Sequence, residues 1–238
     1  MINWLKRKPT INDFDKQLLS SNIVGAKTLL DLHNKERDIT DIRTKGLKTN
    51  PIDGAFDYVH LKSINKELFK DVYVWAGMDR YDLGIRGDFR KGDTHFTHGS
   101  KLPDVANELF KALEKENYFK DLDKIDFIKS AASFMNGINT LHPFREGNGR
   151  TQRLFIEQLA GNAGYNLDLS NVSNSIMTQA SIQAHKGQLK SLEIIIKDNI
   201  NKKIPILDKI DLIEKIKVFK AKTSEKSQVK TKDKEVER

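Results

Sequence analysis

The stretch Leu141–Phe155, LHPFREGNGRTQRLF, places a histidine, a carboxylate, two glycines and three arginines between two apolar runs. Pro143 disfavours helical geometry at His142 and cannot lie inside a helix, so we expect the first helix to end there. Gly147 and Gly149 permit backbone angles that other residues avoid. The stretch is therefore predicted to form a tight loop between two helices.

The second half of this loop has the features of an anion-binding site. Successive backbone amides around Asn148 can form a nest, which opens onto the N-terminus of a helix that starts near Arg150. The unpaired amides and the dipole of that helix favour a phosphate. Arg150 and Arg153 lie three residues apart on one helical face and add forked donors. The pattern predicts a site for an anion that carries several phosphates.

Two further side chains indicate chemistry in addition to binding. Glu146 would be unfavourable beside phosphates unless a cation lay between them, and Mg²⁺ bridging carboxylate and phosphate oxygens supplies one. His142 has a reference pKa of about 6.5, which suits it to take a proton from an attacking hydroxyl. Base, metal ligand, phosphate cradle and two cations together predict phosphoryl or nucleotidyl transfer.

Outside the loop, helical periodicity dominates the chain. In the segment 126–141, Phe127, Phe134 and Ile138 recur on one helical face. Similar spacing predicts further helices over 14–38 (one or two helices), 59–77, 102–119, 150–163, 173–200 and 206–222. Glycines and short alternating pieces in 81–98 instead indicate a β-hairpin. We predict an all-α domain with one small hairpin.

Composition limits the class of protein. The 238 residues include no cysteine, which excludes disulfides, thiolate metal sites and a cysteine nucleophile. No run approaches the roughly 18 apolar residues that a membrane helix needs, and the first ten residues contain no apolar signal core. We expect a cytoplasmic protein without membrane contact, and the sequence leaves open whether it is secreted into a host cell.

Most of the positive charge lies at the C-terminus. Residues 201–238 hold twelve Lys and Arg against seven Asp and Glu, which is +5 of the net charge of +8. Because no nucleic-acid-binding motif accompanies this charge, direct contact with nucleic acid is not expected. A metal hydrolase is disfavoured, since the chain has no His-Glu-x-x-His and no histidine pair at helical ligand spacing.

The segment HPFREGNGRTQR, residues 142–153, resembles the signature of the Fic family, His-x-Phe-x-(Asp/Glu)-Gly-Asn-Gly-Arg-x-x-Arg, with every fixed position filled. Upstream, LKSINKELFKDVYVWAGMDR is similar to the segment that precedes the family's flap, and RKGDTHFTHGSKL resembles the flap itself. One departure is Asn65, where many members carry a histidine. The resemblance implies a Fic-type helical bundle with a small β-hairpin flap.

The resemblance also implies a division of the chain. The Fic core would cover residues 55–200, with the flap at 81–98 and the signature loop at 142–153. Residues 1–54 would be an N-terminal helical extension, and 201–222 a C-terminal helix. Mixed charge and few large apolar residues predict that 223–238 is disordered, as a solubilising end or as a docking segment.

The reaction that the resemblance implies is transfer of AMP from ATP to a hydroxyl of a target protein, with release of pyrophosphate. His142 would be the general base, and Glu146 would bind the Mg²⁺ that bridges the α- and β-phosphates. Gly147, Asn148 and Gly149 would form the anion hole, with Asn148 at the α-phosphate.

The remaining implied roles concern the rest of the triphosphate and the target. Arg150 and Arg153 would hold the β- and γ-phosphates. The flap around Thr94, His95 and Phe96 would pair as a β-edge with an extended segment of the target protein, which would place its hydroxyl in line with the α-phosphate.

Residue identity within the signature favours AMP transfer. Kinase-like relatives called Doc carry Ala-Asn-Lys-Arg where this chain has Gly-Asn-Gly-Arg at 147–150. Transfer of GMP or UMP stays an alternative, because the residues of the signature would contact the phosphates and not the base of the nucleotide. A phosphotransferase, or a silent module that binds a nucleotide or a partner, is the other alternative.

Many family members carry an inhibitory helix with Ser/Thr-x-x-x-Glu-Gly/Asn, whose glutamate pairs with the second signature arginine, here Arg153. Only SINKEL from Ser63 and TKDKEV from Thr231 have the first and fifth residues, and both fail at the sixth. We therefore expect a toxin-like member that is inhibited by a separate small antitoxin protein.

Overall fold

The computed structural model describes residues 13–201, which are mostly helical. The described helices are α1 (Asp13–Ser21), α2 (Leu29–Thr49), α3 (Tyr58–Phe69), α4 (Leu102–Lys115), α5 (Lys124–Leu141), α6 (Asn148–Asn162), α7 (Asn174–His185) and α8 (Lys190–Asn199). Two antiparallel pairs of two-residue strands join β1 (Arg90–Lys91) to β2 (Thr94–His95) and β3 (Asn166–Leu167) to β4 (Ile200–Asn201). The predicted all-α fold with a small hairpin is confirmed.

Local sequence explains where several helices begin. Thr28, Asp57, Asp123 and Ser173 each precede a helix and accept a hydrogen bond from a backbone N–H of its first turn. Such side-chain caps satisfy donors that have no partner within the helix. Helix α6 differs, because its N-cap is Gly147 and no side chain caps it.

The core is built around α5, which packs against α4, α6, α7 and α8. Its face with Phe127, Phe134 and Ile138 is buried, as the spacing predicted. Phe134 meets Phe110 of α4 edge-on at 5.5 Å and lies 6.0 Å from Phe155 of α6. Aromatic rings in this geometry stabilise a core beyond their area alone. The end of α5 is thereby fixed relative to the start of α6.

The predicted helix over 59–77 is wrong at its end. Helix α3 stops at Phe69, and the chain then turns through Tyr73 and Trp75, whose rings stack at 4.3 Å. Tyr73 forms an isolated antiparallel bridge with Asn22, which ties this turn to the end of α1. These apolar residues are buried although they are not helical, and periodicity alone cannot separate the two cases.

Other boundaries also differ from the prediction. The segment 173–200 is two helices, because the chain turns at Gly187, whose φ of 86° suits glycine. The pair β3–β4 was not predicted, since strands of two residues leave no readable period. The predicted helix 206–222 and tail 223–238 lie outside the described residues. Among residues 13–201, no helix combines the length and apolar character needed to cross a bilayer.

Candidate active site

His142 lies at the C-terminus of α5 in the left-handed conformation, with φ of 43° and ψ of 60°. Its N–H donates to the carbonyl of Ile138 at 2.9 Å, which closes the last turn of the helix. A residue with a side chain pays about 1–2 kcal/mol for this conformation, so the surrounding contacts must fix it. Pro143 contributes by disfavouring the right-handed helical region at His142. The helix therefore ends where the sequence predicted.

The loop is closed by the side chain of Asn148. Its Oδ1 accepts from the N–H of Phe144 at 2.9 Å, and its Nδ2 donates to the carbonyl of Phe144 at 2.7 Å. Phe144 itself is buried in the core. The side-chain amide of Asn148 thus acts as a brace across the loop, a contact that the sequence analysis did not anticipate.

The N-terminus of α6 opens directly from this loop. Gly147 precedes it with φ of 79°, and the first backbone bond within the helix runs from Thr151 N–H to the Gly147 carbonyl at 3.0 Å. The amides of Asn148, Gly149 and Arg150 therefore precede the hydrogen-bonded part of the helix. Unpaired amides at a helix start, together with the helix dipole, favour an anion.

The two glycines of the loop should respond differently to alanine. A Cβ on Gly147 would lie 2.1 Å from the Phe69 ring and would require a positive φ, whereas a Cβ on Gly149 would meet nothing within 4 Å. We expect Gly147→Ala to lower the free energy of unfolding by about 2 kcal/mol or more. Gly149→Ala should unfold at the same urea concentration as the wild type or a higher one, because its methyl group would meet no neighbouring atom. We also expect weaker nucleotide binding, since the methyl group adds bulk beside the amides predicted to bind the anion.

Urea unfolding and calorimetric titration with ATP would measure both effects. Equal unfolding free energies for the two variants would contradict the steric account of Gly147. Unchanged ATP affinity in Gly149→Ala would place the phosphates elsewhere.

Glu146 lies between the loop and the helix start. Its Oε1 accepts from the N–H of Gly147 at 2.8 Å and lies 3.4 Å from a terminal nitrogen of Arg150. Asn65 of α3 supports the same turn, since its Nδ2 donates to Thr151 Oγ1 at 3.1 Å and its Oδ1 accepts from the Gly77 N–H at 3.0 Å. The buried amide of Asn65 is therefore a brace of the loop.

The residues near Glu146 fit Mg²⁺ only in combination with a phosphate. Within residues 13–201 no cluster of three or more His, Cys, Asp or Glu side chains could hold a metal ion. Mg²⁺ commonly uses one carboxylate together with phosphate oxygens and water. About a third of the Glu146 side chain is exposed. A single accessible carboxylate beside a helix N-terminus matches that type of site.

Arg150 is oriented differently from the prediction. Its terminal nitrogens donate to Glu36 Oε1 at 2.5 Å and to Thr40 Oγ1 at 2.9 Å, both on α2. The guanidinium also lies over the ring of Phe69, 4.7 Å from its centroid. Glu36 is buried and also accepts a hydrogen bond from Tyr73. A buried carboxylate needs a cationic partner, and Arg150 supplies it instead of standing open at the loop.

Removing the carboxylate of Glu36 should therefore destabilise the protein. We expect Glu36→Gln to lower the free energy of unfolding by about 2 kcal/mol, because Arg150 would keep its charge without a buried partner. Glu67→Gln is the matched control, since Glu67 pairs with Arg43 in a more exposed position, 2.7 Å apart. Its loss should stay under about 1 kcal/mol. Urea unfolding that gives equal losses would contradict this difference.

Arg153 lies one turn further along α6. Its Nη1 donates to Asn174 Oδ1 at 3.2 Å, at the start of α7. Burial lowers the pKa of Arg153, and the charge of Arg150 acts in the same direction. Among residues 13–201 no carboxylate lies within ion-pair distance of Arg153. A guanidinium that is partly desolvated without a carboxylate partner is suited to an anionic ligand.

The predicted hairpin is present, and one of the three residues named for the flap reaches the loop. Thr94 and His95 form β2, which pairs with β1. The ring of Phe96 stacks on the His142 imidazole, with centroids 3.8 Å apart and an angle of 22°. The hairpin therefore brings the predicted target-docking strand close to the predicted base, and Phe96 covers the imidazole.

The environment of His142 keeps its imidazole neutral. Burial lowers the pKa of His142 to about 3, and the cations Arg80 and Lys91 act in the same direction, while a backbone contact at Asn139 opposes them. A neutral imidazole has a free lone pair and can accept a proton. His142 should therefore be in its basic form throughout the neutral and mildly acidic range.

This lowered pKa makes the stability of the protein depend on pH. Between the unfolded value of about 6.5 and the folded value of about 3, the unfolded chain binds a proton at His142 that the folded chain does not. The free energy of unfolding thus decreases as pH falls below about 6.5, and the decrease is at most about 1.4 kcal/mol per pH unit. His142→Asn removes this titration with a residue that tolerates the left-handed conformation.

Urea unfolding at pH 7 and pH 5 should show the wild type losing about 2 kcal/mol more than His142→Asn. Equal losses of unfolding free energy in the two proteins would mean that His142 takes up a proton between pH 7 and pH 5 in the folded state as it does in the unfolded state.

Glu36 and Arg80 were not predicted as residues of the site. Glu36 is 114 positions from Arg150 along the chain, and Arg80, which is completely buried, donates to the carbonyls of His142, Leu141 and Thr97. Neither residue lies in the loop motif. Glu36 lies in the predicted helical segment 14–38, and Arg80 lies between the predicted helix 59–77 and the predicted hairpin 81–98, so neither position identifies a partner.

The fold and this loop define a helical protein in which an uncapped helix N-terminus, suited to an anion, lies beside a histidine. The sequence profile of the Fic/DOC family matches residues 55–160. The chain is 34% identical over 158 residues to "Probable protein adenylyltransferase Fic" of Escherichia coli, covering 66% of this chain and 76% of that protein. The chain belongs to the Fic/DOC family.

A longer relative is "Protein adenylyltransferase VbhT" of Bartonella schoenbuchensis, 38% identical over 179 residues. The match covers 75% of this chain, which spans 36% of the length of VbhT. Among solved structures, the N-terminal Fic domain of a Bartonella quintana effector with bound ADP superposes with a TM-score of 0.70 at 28% identity, covering 78% of this chain and 92% of that chain. BepC of Bartonella tribocorum with bound AMPPNP gives a TM-score of 0.68 at 26% identity, covering 77% and 92%.

Proposed function

We propose that this protein is a protein adenylyltransferase, which transfers AMP from ATP to a Ser, Thr or Tyr hydroxyl of a target protein and releases pyrophosphate. The observation that carries the proposal is the position of His142 on the loop that leads into an uncapped helix N-terminus. Relatives named adenylyltransferases and Fic domains with bound ADP or AMPPNP support it.

In this mechanism His142 accepts the proton of the target hydroxyl as the hydroxyl oxygen attacks the α-phosphorus. The bond between the α-phosphorus and the bridging oxygen to the β-phosphate breaks, and pyrophosphate leaves. The lowered pKa of His142 keeps the imidazole unprotonated and able to accept a proton. A base with a low pKa provides less driving force for proton transfer than one that titrates near neutrality.

The phosphates are held mainly by backbone groups and by Arg153. The amides of Asn148 and Gly149 stabilise charge on the α-phosphate. Gly147 completes the anion hole by forming the turn, with its own N–H bonded to Glu146, and the side chain of Asn148 keeps the loop closed. Arg153 binds the γ-phosphate end. Arg150 contributes its backbone amide and its positive charge to the β-phosphate, while its side chain stays tied to α2.

Glu146 would hold Mg²⁺ against the phosphate oxygens. When bound, the ion would neutralise negative charge on the α- and β-phosphates. The chain's own contribution is to orient the carboxylate, through the Gly147 N–H and through Asn65, which supports the turn.

Thr94 and His95 are proposed to add an extended target segment to the edge of the flap. A strand edge binds an extended segment through main-chain hydrogen bonds, which depend little on the sequence of that segment. The edge therefore does not specify the acceptor protein. Phe96, stacked on His142, would lie between that strand and the reaction centre.

We further propose that a separate small protein inhibits the enzyme. Glu67 of the SINKEL segment pairs with Arg43, and Glu36 pairs with Arg150, so neither carboxylate is placed on Arg153. The TKDKEV segment lies outside the described residues. Arg153 is thus available to a carboxylate supplied by another chain.

Mass spectrometry would test the transfer directly. Purified protein with Mg²⁺ is incubated with a mixture of ATP, GTP and UTP in bacterial and eukaryotic lysates, and Ser, Thr and Tyr peptides are searched for nucleotide and phosphate adducts. AMP on such peptides, lost with His142→Ala, is the expected result. GMP, UMP or phosphate adducts instead would replace the proposal with the corresponding transferase.

A further inference from the structure

Arg80 is the largest completely buried side chain of the described residues. It lies between α3 and the flap, outside the signature loop. Its nearest acidic neighbour along the chain, Asp79, is engaged by Tyr58 at 2.7 Å and by Lys62 at 3.4 Å. Among residues 13–201 no carboxylate lies within ion-pair distance of Arg80. The Asp79 carboxylate acts on Arg80 from a longer distance, but a buried guanidinium that is not ion-paired needs a further source of negative potential.

The C-terminus of α5 supplies that potential. Arg80 Nε donates to the His142 carbonyl at 2.9 Å, and Nη2 donates to the Leu141 carbonyl at 3.1 Å. The last carbonyls of a helix have no partners within it and carry the negative end of the helix dipole. Arg80 thus satisfies both the carbonyls and the dipole at the residue proposed as the base.

The same guanidinium also holds the flap. Its Nη2 donates to the Thr97 carbonyl at 2.7 Å, directly after Phe96. The Phe89 ring lies over the guanidinium, 4.8 Å from its carbon to the ring centroid. The Phe96 N–H donates to the Phe89 carbonyl at 2.9 Å, so these two aromatic residues close the base of the hairpin. One ring covers Arg80, and the other covers His142.

The backbone next to Arg80 strengthens this arrangement. Its N–H donates to the Pro143 carbonyl at 2.7 Å, and Asp79 forms an antiparallel bridge with Phe144. A second tie runs from Thr97 to the carbonyl of Thr140 through both its N–H, at 2.9 Å, and its hydroxyl, at 3.1 Å. The segment before the flap, the base of the flap and the loop are therefore connected within a few residues.

We propose that Arg80 is a positioning residue that joins the target-docking flap to His142, so that the acceptor hydroxyl and the base keep a fixed relative geometry. This inference rests on the proposed function, in which His142 is the base and the flap docks the target. Reacting groups must be held within about 0.5 Å, and a shift of about 1 Å can cost roughly 100-fold in rate.

The charge of Arg80 has a second consequence for the base. Arg80 and Lys91 are the charged groups that act on the pKa of His142, and both disfavour the imidazolium form. The titratable His185 of α7 faces the same region, with its ring 6.3 Å from Phe96 and its Nδ1 3.4 Å from Thr140 Oγ1. Removing the positive charge of Arg80 should therefore make protonation of His142 easier.

The test uses readouts that need neither a target protein nor catalysis, so its failure is distinguishable from failure of the proposed function. The His142 imidazole is titrated by NMR in the wild type, Arg80→Met and Arg80→Lys. Hydrogen exchange is followed at the amides of Phe96 and Thr97. The matched control is Phe127→Leu, a core change 14 residues from Leu141 on the same helix, about 21 Å along its axis.

Arg80→Met should raise the titration midpoint of His142 by about one pH unit and increase exchange at Phe96 and Thr97 by about tenfold, relative to amides in the middle of α6. Phe127→Leu should lower stability without either selective change. If Arg80→Met keeps the wild-type titration midpoint of His142 and the wild-type exchange rates at Phe96 and Thr97 relative to α6, the inference would be overturned.

Arg80→Lys provides a second test that does not depend on folding of the methionine variant. Lysine keeps the charge but cannot span three carbonyls with a planar fork. The midpoint of His142 should stay close to the wild type, while exchange at Phe96 and Thr97 rises. Unchanged exchange in Arg80→Lys would show that the fork does not hold the flap, and would overturn the inference.

Discussion

His142→Ala should abolish transfer of AMP and leave binding of ATP close to the wild type. The imidazole lies on the loop before the anion site and supplies none of the amides at the start of α6. Loss of a general base lowers rates by about 100- to 10,000-fold, and we expect a loss within that range. Calorimetric titration and a transfer assay measure the two effects separately.

His33→Ala is the matched control for this experiment. His33 is an exposed residue on α2, so its replacement should change neither binding nor transfer. Loss of ATP binding together with transfer in His142→Ala would mean that the histidine supports the nucleotide site and is not specifically the base. Full transfer by His142→Ala would remove it from the mechanism.

Arg153→Ala should weaken binding of ATP by about 10- to 100-fold and binding of AMP far less. A hydrogen bond between charged groups contributes about 1.5–3 kcal/mol, and the proposed contact is to the γ-phosphate, which AMP lacks. Among residues 13–201, the hydrogen-bond partner of this side chain is the neutral acceptor Asn174. Calorimetric titrations with ATP, ADP and AMP would measure the difference.

Arg37→Ala, at an exposed position on α2, controls for removal of a positive charge. Equal losses for ATP and AMP in Arg153→Ala would contradict the γ-phosphate assignment. They would indicate that Arg153 orders the site as a whole through Asn174.

The sequence predicted the parts of the site that depend on neighbouring residues. Pro143 and the glycines define a short loop by their backbone preferences, so the end of α5 and the start of α6 fall within two residues of the expected positions. The amphipathic face of α5 was equally readable, because a buried helix with a regular apolar period has few alternatives.

The contacts that depend on distant parts of the chain could not be predicted. Arg150 is directed to α2 because Glu36 is buried there, and nothing in the loop motif carries that information. The motif predicts Asn148 as a phosphate ligand, yet its side-chain amide is hydrogen-bonded to the backbone of Phe144. Arg80 lies between the predicted helix 59–77 and the predicted hairpin 81–98, and its three carbonyl acceptors come from two other parts of the chain.

The central claim is that this protein transfers AMP from ATP to a protein hydroxyl. The most direct measurement uses ATP labelled at the α- or the γ-phosphate, incubated with the protein and Mg²⁺ in bacterial and eukaryotic lysates, with His142→Ala in parallel. We predict a protein band labelled from the α-position, unlabelled from the γ-position and absent with His142→Ala. Label from the γ-position would contradict adenylyl transfer, because it would show that the terminal phosphate moves to the target.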